Sequence, residues 1–219
     1  MATYPRGDVD ETAAPPETRA ERRERATADT RATILAAARS RLLAVGYANL
    51  STRAVAEAAE VPLSQIHYHF GSKQQLILAV LEGENERLLE RQRGLFGGPE
   101  PLWQQWDRAC DYLDEDLESG YVRVLQEMIA AGWSDPEVAA AVRRYQSGWY
   151  RLLADVAATA ASRIRGGLGP FTPAEIGLLM GLPFIGAESM ILLGFTEDEL
   201  PARSALRRIG DVIRALEEG

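Results

Sequence analysis

At 219 residues the chain exceeds the usual size of one small domain, so one small and one larger module are expected, each able to bury a core. Hydrophobic residues make up 46% and charged residues 26%, a balance that excludes disorder of the whole chain, and the single cysteine, Cys110, excludes an intramolecular disulfide. The net charge of −8 argues against a nucleic-acid partner only if read globally, because residues 1–73 carry 10 Lys+Arg against 9 Asp+Glu while residues 74–219 carry 14 against 23.

The N-terminus lacks the basic-then-apolar pattern of a secretory signal, so a cytoplasmic protein is expected. Residues 1–28 are rich in Pro, Glu, Arg, Thr and Ala and predict a mobile tail. Arg19, Arg22, Arg23 and Arg25 at its end read as a solvated lead-in to the first helix, with an arm reaching a minor groove as the alternative. From Arg19 to Arg53, 8 Arg face only 3 acids, a local basic surface.

From Thr30, the spacing of Ile34, Ala38, Leu42 and Val45 predicts one apolar helical face, and Gly46 is placed to stop that helix. Ser51 can cap a second short helix with Val55 and Ala59 inward. Pro62 suits the first turn of a third helix that buries Leu63, Ile66 and Phe70 and ends at Gly71. Ser72, three residues before Gln75, marks the start of a connecting helix running towards Arg93.

After a break over Gly94–Pro101, helical patterns cover Leu102–Glu118, Tyr121–Trp133, Val138–Ile164, Ile176–Leu193 and Ala202–Glu217, so the fold class is all-α. Asp135-Pro136-Glu137 and Thr172-Pro173-Ala174-Glu175 each combine a capping side chain, an early proline and an early acid. The glycine-rich stretch Arg165–Pro170 follows no strand and precedes no Gly-Lys-Ser/Thr, which excludes a phosphate cradle. Ile176–Phe195 reaches membrane-spanning length, but Pro183 and Glu188 inside it favour a buried helix of a protein with no membrane partner.

Three short helices with a tight turn between the second and third leave the outer side of the third free to enter a major groove. That side offers Ser64, Gln65, His67, Tyr68 and His69. Gln65 suits an adenine edge and Ser64 several base edges, whereas His67, Tyr68 and His69 suit phosphates and sugars. Arg53 and Lys73, the latter the only lysine, sit in first turns, where the helix dipole disfavours a cation unless a phosphate joins it. Solvated surface charge is the alternative for both. His67 and His69, two apart on a helix, diverge, so neither a metal site nor a cofactor is expected.

The runs Ile34-Leu35-Ala36-Ala37-Ala38, Gly46-Tyr47, Leu50-Ser51-Thr52-Arg53, Val55-Ala56, Ala59-Glu60-Val61 and Ile66-His67-Tyr68-His69-Phe70-Gly71-Ser72-Lys73 resemble the tetracycline-repressor (TetR) family of transcription regulators. The resemblance implies phosphate contacts at Thr52, Tyr68 and Lys73 and base contacts around Leu63, Ser64, Gln65 and His67. Two departures bear on how the third helix is presented: Glu60 stands where the family often has Gly, and Pro62 where a capping Ser is common. A left-handed Glu60 would cost up to roughly 1 kcal/mol.

The implied architecture is a helix-turn-helix DNA-binding domain over residues 29–73 joined to a helical ligand-binding and dimerisation domain over residues 74–219. The family's dimer uses the last two helices, and Ala205, Ile209, Val212 and Leu216 form a stripe suited to that. Trp103, Trp106, Tyr112, Met128, Trp133, Tyr145 and Trp149 on the middle helices are candidates to line an apolar pocket, with ordinary core packing the alternative for each. Glu188, alone in an apolar helix, faces either a ligand or Arg207 or Arg208 at the dimer seam, the pairing being preferred.

The function so implied is a sequence-specific transcription regulator: a homodimer on double-stranded operator DNA, acting as a repressor released by a small-molecule effector. The alternatives are an architectural DNA binder without effector and an all-helical enzyme. Both histidines lie in the third helix and no nucleophile-base spacing is present elsewhere, so an enzyme is not expected.

Overall fold

The computed structural model describes residues 18–164 and 166–219, and every regular element among them is an α-helix. In chain order these are α1 (Arg19–Asn49), α2 (Thr52–Ala58), α3 (Leu63–Phe70), α4 (Lys73–Phe96), α5 (Leu102–Ser119), α6 (Tyr121–Gly132), α7 (Pro136–Ala160), α8 (Pro173–Leu192) and α9 (Ala202–Glu218).

The first helix starts at Arg19 rather than Thr30, which corrects the tail expected over residues 1–28; residues 1–17 lie outside the described residues. The cause is a capping box at Thr18, whose hydroxyl accepts from the Glu21 N–H while Glu21 accepts from the Thr18 N–H at 2.7 Å. The Arg-, Glu- and Ala-rich run that follows has high helix propensity without needing a core. Gly46, with φ of +80°, interrupts α1 as its position predicts, although helix resumes briefly beyond it. Ile34, Ala38 and Leu42 are fully buried, but Val45, on the turn before the break, points outward.

Val55, Ala56 and Ala59 of the second-helix region pack inward together with Ile66 and Phe70 of α3. Between them Glu60 adopts φ of +54°, the only positive φ outside glycine among the described residues, so the left-handed turn inferred from the family is kept with a residue that resists it. Pro62 stands at the N-cap of α3 rather than in its first turn, and Ser51 makes no side-chain capping bond. Ser72, Asp135 and Thr172 cap their helices as their spacing predicts.

One core joins α1–α4 to Val124 and Met128 of α6 and Val138, Ala141 and Tyr145 of α7. A second core gathers Leu102, Trp106 and Leu113 of α5 with Phe184 of α8 and Leu206 and Ile213 of α9. Helix α8 lies tightly on α7: a Cβ at Gly177 would stand 2.7 Å from the Ala154 backbone nitrogen. Its other side is open. Leu178, Leu179 and Leu182 face outward, so the helix is buried on one side only and not all round. By length and composition α8 is able to cross a membrane. The stripe expected on α9 is divided in the same way, with Val212 and Leu216 exposed and Ile209 turned towards the second core.

Candidate nucleic-acid interface and ligand cavity

The direction of each side chain on α3 follows from its 100° step per residue. Ile66 and Phe70 anchor the helix, so Ser64 and Tyr68 stand opposite them and Gln65 and His67 flank them. Ser64, His67 and Tyr68 are exposed and Gln65 is half-buried. Tyr68 protrudes most, at 73% exposure. Leu63, expected to bury, is open at the start of the helix beside Ser64.

The two histidines have different surroundings. His67 Nδ1 is 3.2 Å from the Gly71 carbonyl, so part of its hydrogen-bonding capacity is used at the helix end. His69 is half-buried, edge-on to Tyr68 with ring centroids 5.0 Å apart, and lines a groove with Arg31 and Glu137. It lies away from the outward row in which the sequence spacing had put it.

The basic surface is smaller than the count of arginines suggests. The Arg31 guanidinium lies 5.1 Å from the centre of the Phe70 ring, and Arg39 forms a two-pronged ion pair with the buried Glu84 of α4 at 2.5 and 3.1 Å. Both serve the protein's own packing. Arg53 is exposed and Thr52 half-buried at the start of α2. Lys73 Nζ is 5.6 Å from the Tyr47 ring centre, which ties the start of α4 to the end of α1.

A narrow cavity of about 60 Å³ lies among α4, α5, α6, α7 and α8. Of the aromatic candidates, Trp106, Tyr112, Tyr145 and Trp149 line it, and so does Glu188. Met128 belongs to the core under α1–α4, Trp133 is 83% exposed at the end of α6, and the Arg214 guanidinium lies 4.7 Å from the centre of the Trp103 ring. Those three do not line it. The sequence reading missed Asp116, Tyr121 and Phe184, which do. Asp116 sits in an acidic run that looks solvated, but it is one helical turn from Leu113 and Tyr112, and that spacing carried the signal.

Trp106 donates its indole N–H to the Leu206 carbonyl at 2.7 Å, and Trp149 donates to Gln92 Oε1 at 2.9 Å, so both rings are locked in place. Glu188, 8% exposed, accepts from Gln126 Nε2 at 2.8 Å, and Ser189 donates to the Gln126 oxygen at 2.8 Å. Burial pushes the Glu188 carboxyl up to about 7. Within the chain Glu188 therefore pairs with neither Arg207 nor Arg208: Arg207 bonds Asp111 of α5 at 2.8 Å, and Arg208 is exposed. Burial also raises the Asp116 carboxyl, against the opposing pull of its ion pair with Arg91.

Helix α6 touches both regions. Tyr121, Val122 and Leu125 face the cavity. Arg123 donates to the Leu43 carbonyl at 2.6 Å, and the Glu127 carboxylate accepts the Tyr47 N–H. Among the described residues no group of three or more His, Cys, Asp or Glu side chains is placed to hold a metal.

The family described as bacterial regulatory proteins, tetR family, matches residues 34–80. The HTH-type transcriptional regulator UidR of Escherichia coli (strain K12) is 30% identical over 120 residues, which covers 52% of this chain and 57% of that regulator's length. A TetR transcription regulator from Haloarcula marismortui superposes with a TM-score of 0.69 at 19% identity, covering 84% of this chain and 98% of the other. A TetR-family transcriptional regulator from Pectobacterium atrosepticum does so with 0.67 at 23% identity, covering 92% and 98%. These two likenesses are of fold.

Proposed function

We propose that this chain, whose residues 34–80 belong to the TetR family of bacterial regulatory proteins, is a cytoplasmic, dimeric repressor that binds operator DNA through α3 and releases it when a small molecule occupies the cavity. The observation that carries the reading is the face of α3. Ser64, Gln65, His67 and Tyr68 project from a helix held by Ile66 and Phe70, within the segment that matches the family. Such a row reads base edges and phosphates in a major groove.

In this reading Thr52, Arg53, Tyr68 and Lys73 hold phosphates, whereas Leu63, Ser64, Gln65 and His67 meet bases. The open apolar sides of α8 and α9 supply the dimer seam, since Leu178, Leu179, Leu182, Val212 and Leu216 form a surface that a second copy would cover. Two recognition helices then meet a pseudo-palindromic site. Helix α6 couples the sites, because a ligand that moves Tyr121 and Leu125 also moves Arg123 and Glu127 against the end of α1. Regulation rather than catalysis is the role.

Fluorescence anisotropy of the full chain on labelled fragments from upstream of its own and neighbouring genes, titrated with salt, tests the proposal. Affinity for one fragment should exceed that for a scrambled fragment, and log affinity should fall linearly with log salt. Equal, salt-independent affinities would exclude it.

A further inference from the structure

We infer that the cavity among α4–α8 selects an organic cation, a small ammonium or amidinium with apolar substituents, over neutral and anionic molecules of the same shape. The inference rests on the cavity being the effector site of the proposed regulator. Among the described residues the only charged side chains in its lining are Asp116 and Glu188, and no arginine, lysine or histidine contributes.

Those two acids differ in what they have left to offer. Asp116 is ion-paired with Arg91 behind the cavity wall, which leaves the pair close to neutral. Among the described residues Glu188 hydrogen-bonds Gln126 of α6, and the titratable groups that share its field are Tyr121 of α6, Tyr150 of α7 and Asp116 of α5, none of them a cation. Among the described residues no cation forms an ion pair with it. A carboxyl kept in this position lacks the countercharge that buried acids ordinarily require. A ligand cation would supply it.

The rest of the lining suits the same chemistry. Trp106, Tyr121, Tyr145, Trp149 and Phe184 surround the space, and aromatic faces attract a desolvated cation. Tyr112 shows the preference within the protein, since the Arg91 and Arg108 guanidinium groups lie 4.2 and 4.6 Å from the centre of its ring. A carboxylate ligand would find two acids and no donor of positive charge. A neutral apolar ligand would fill the rings but leave Glu188 unmatched.

The test is calorimetric titration of the 219-residue chain, without DNA, with tetramethylammonium, with tert-butanol as an uncharged molecule of nearly its shape, and with pivalate, alongside quenching of tryptophan fluorescence. The cation should bind about 10-fold or more tightly than tert-butanol, and pivalate should not bind. Glu188→Gln keeps the shape of the side chain and should bring cation and alcohol within about 3-fold of each other, with the alcohol's own affinity changed by less than about 3-fold. Equal or tighter binding of tert-butanol to the wild type, binding of pivalate, or no binding of any of the three would overturn the inference. Because no DNA is present, those failures leave the operator-binding experiment standing, and a failure there leaves these titrations unaffected.

Discussion

The carboxylate of Glu127 on α6 accepts the backbone N–H of Tyr47, the residue that follows the break at Gly46 in α1. One contact therefore satisfies a backbone donor freed by the kink and joins the cavity-lining helix α6 to α1, which packs against α2 and α4. The glycine is favoured by its φ of +80°, and a Cβ there, 2.7 Å from the Glu127 Oε1 atom, would displace this carboxylate from the Tyr47 N–H.

Glu127→Ala leaves the Tyr47 N–H without its partner and should cost about 1–3 kcal/mol of stability. Glu127→Gln keeps an acceptor and should cost less. Urea unfolding of both variants measures the difference. In the alanine variant, any effector that lowers DNA affinity should do so less strongly, because the connection from α6 to α1 is cut.

Glu188 makes stability depend on pH with a definite sign. Its carboxyl ionises near the ordinary 4.5 in the unfolded chain and at about 7 in the fold, so the unfolded state loses its proton first as pH rises. Stability should fall between those values by on the order of 3 kcal/mol and then level off. The buried Asp116, also raised, acts in the same direction. Glu188→Gln should flatten the slope, and denaturation at pH 5 and pH 8 would reveal it; an unchanged slope would assign the effect elsewhere.

On the DNA face, Gln65→Ala should relax sequence preference at one base position at a cost of about 1–3 kcal/mol. Arg53→Ala should weaken binding evenly across sequences and lower the salt slope by about one, whereas Tyr68→Ala, which removes a neutral hydroxyl, should weaken binding evenly and leave the slope unchanged. Lys73→Ala should act as Arg53→Ala does and also loosen the junction with Tyr47. His69→Ala should have little effect on DNA affinity, since His69 faces the groove with Arg31 and Glu137.

Gly120, between α5 and α6, has φ of +84°, and a Cβ there would stand 2.2 Å from the Leu43 carbonyl oxygen. Backbone cannot give way as a long side chain can. Gly120→Ala should destabilise by roughly 2 kcal/mol or more from strain and clash together, measurable as a drop in melting temperature.

Leu179 is 52% and Leu182 49% exposed on the outer side of α8. The double substitution Leu179→Glu with Leu182→Glu should convert a dimer to monomers by sedimentation velocity, with each monomer keeping its helicity because neither residue supports the chain's own core. A dimer that survives would place the seam elsewhere.

Local chemistry was enough to reveal the helices and most of their ends. Ser72, Asp135 and Thr172 act through neighbours three or fewer residues away, and the inward positions Ile34, Ala38, Leu42, Ile66 and Phe70 follow from the helical repeat alone. The start of α1 was equally local, written in Thr18 and Glu21, and was obscured by the low apolar content around it. What a neighbour i+3 away cannot decide is which side of an amphipathic residue meets another helix. Arg39 turns to Glu84, 45 positions along the chain, and His69 leaves the outward row for the groove beside Arg31.

The cavity lay furthest from the sequence. Trp106 and Trp133 look alike as aromatics on apolar helices, yet one is sealed between α5, α8 and α9 and the other is left in water by the end of α6. Glu188 was conspicuous in α8 from composition, but its partner, Gln126, belongs to a helix that only tertiary packing brings to it. Periodicity and capping determined where this chain forms helices. Which faces meet, and therefore which charges remain on the surface and in the cavity, depended on contacts between residues distant in sequence.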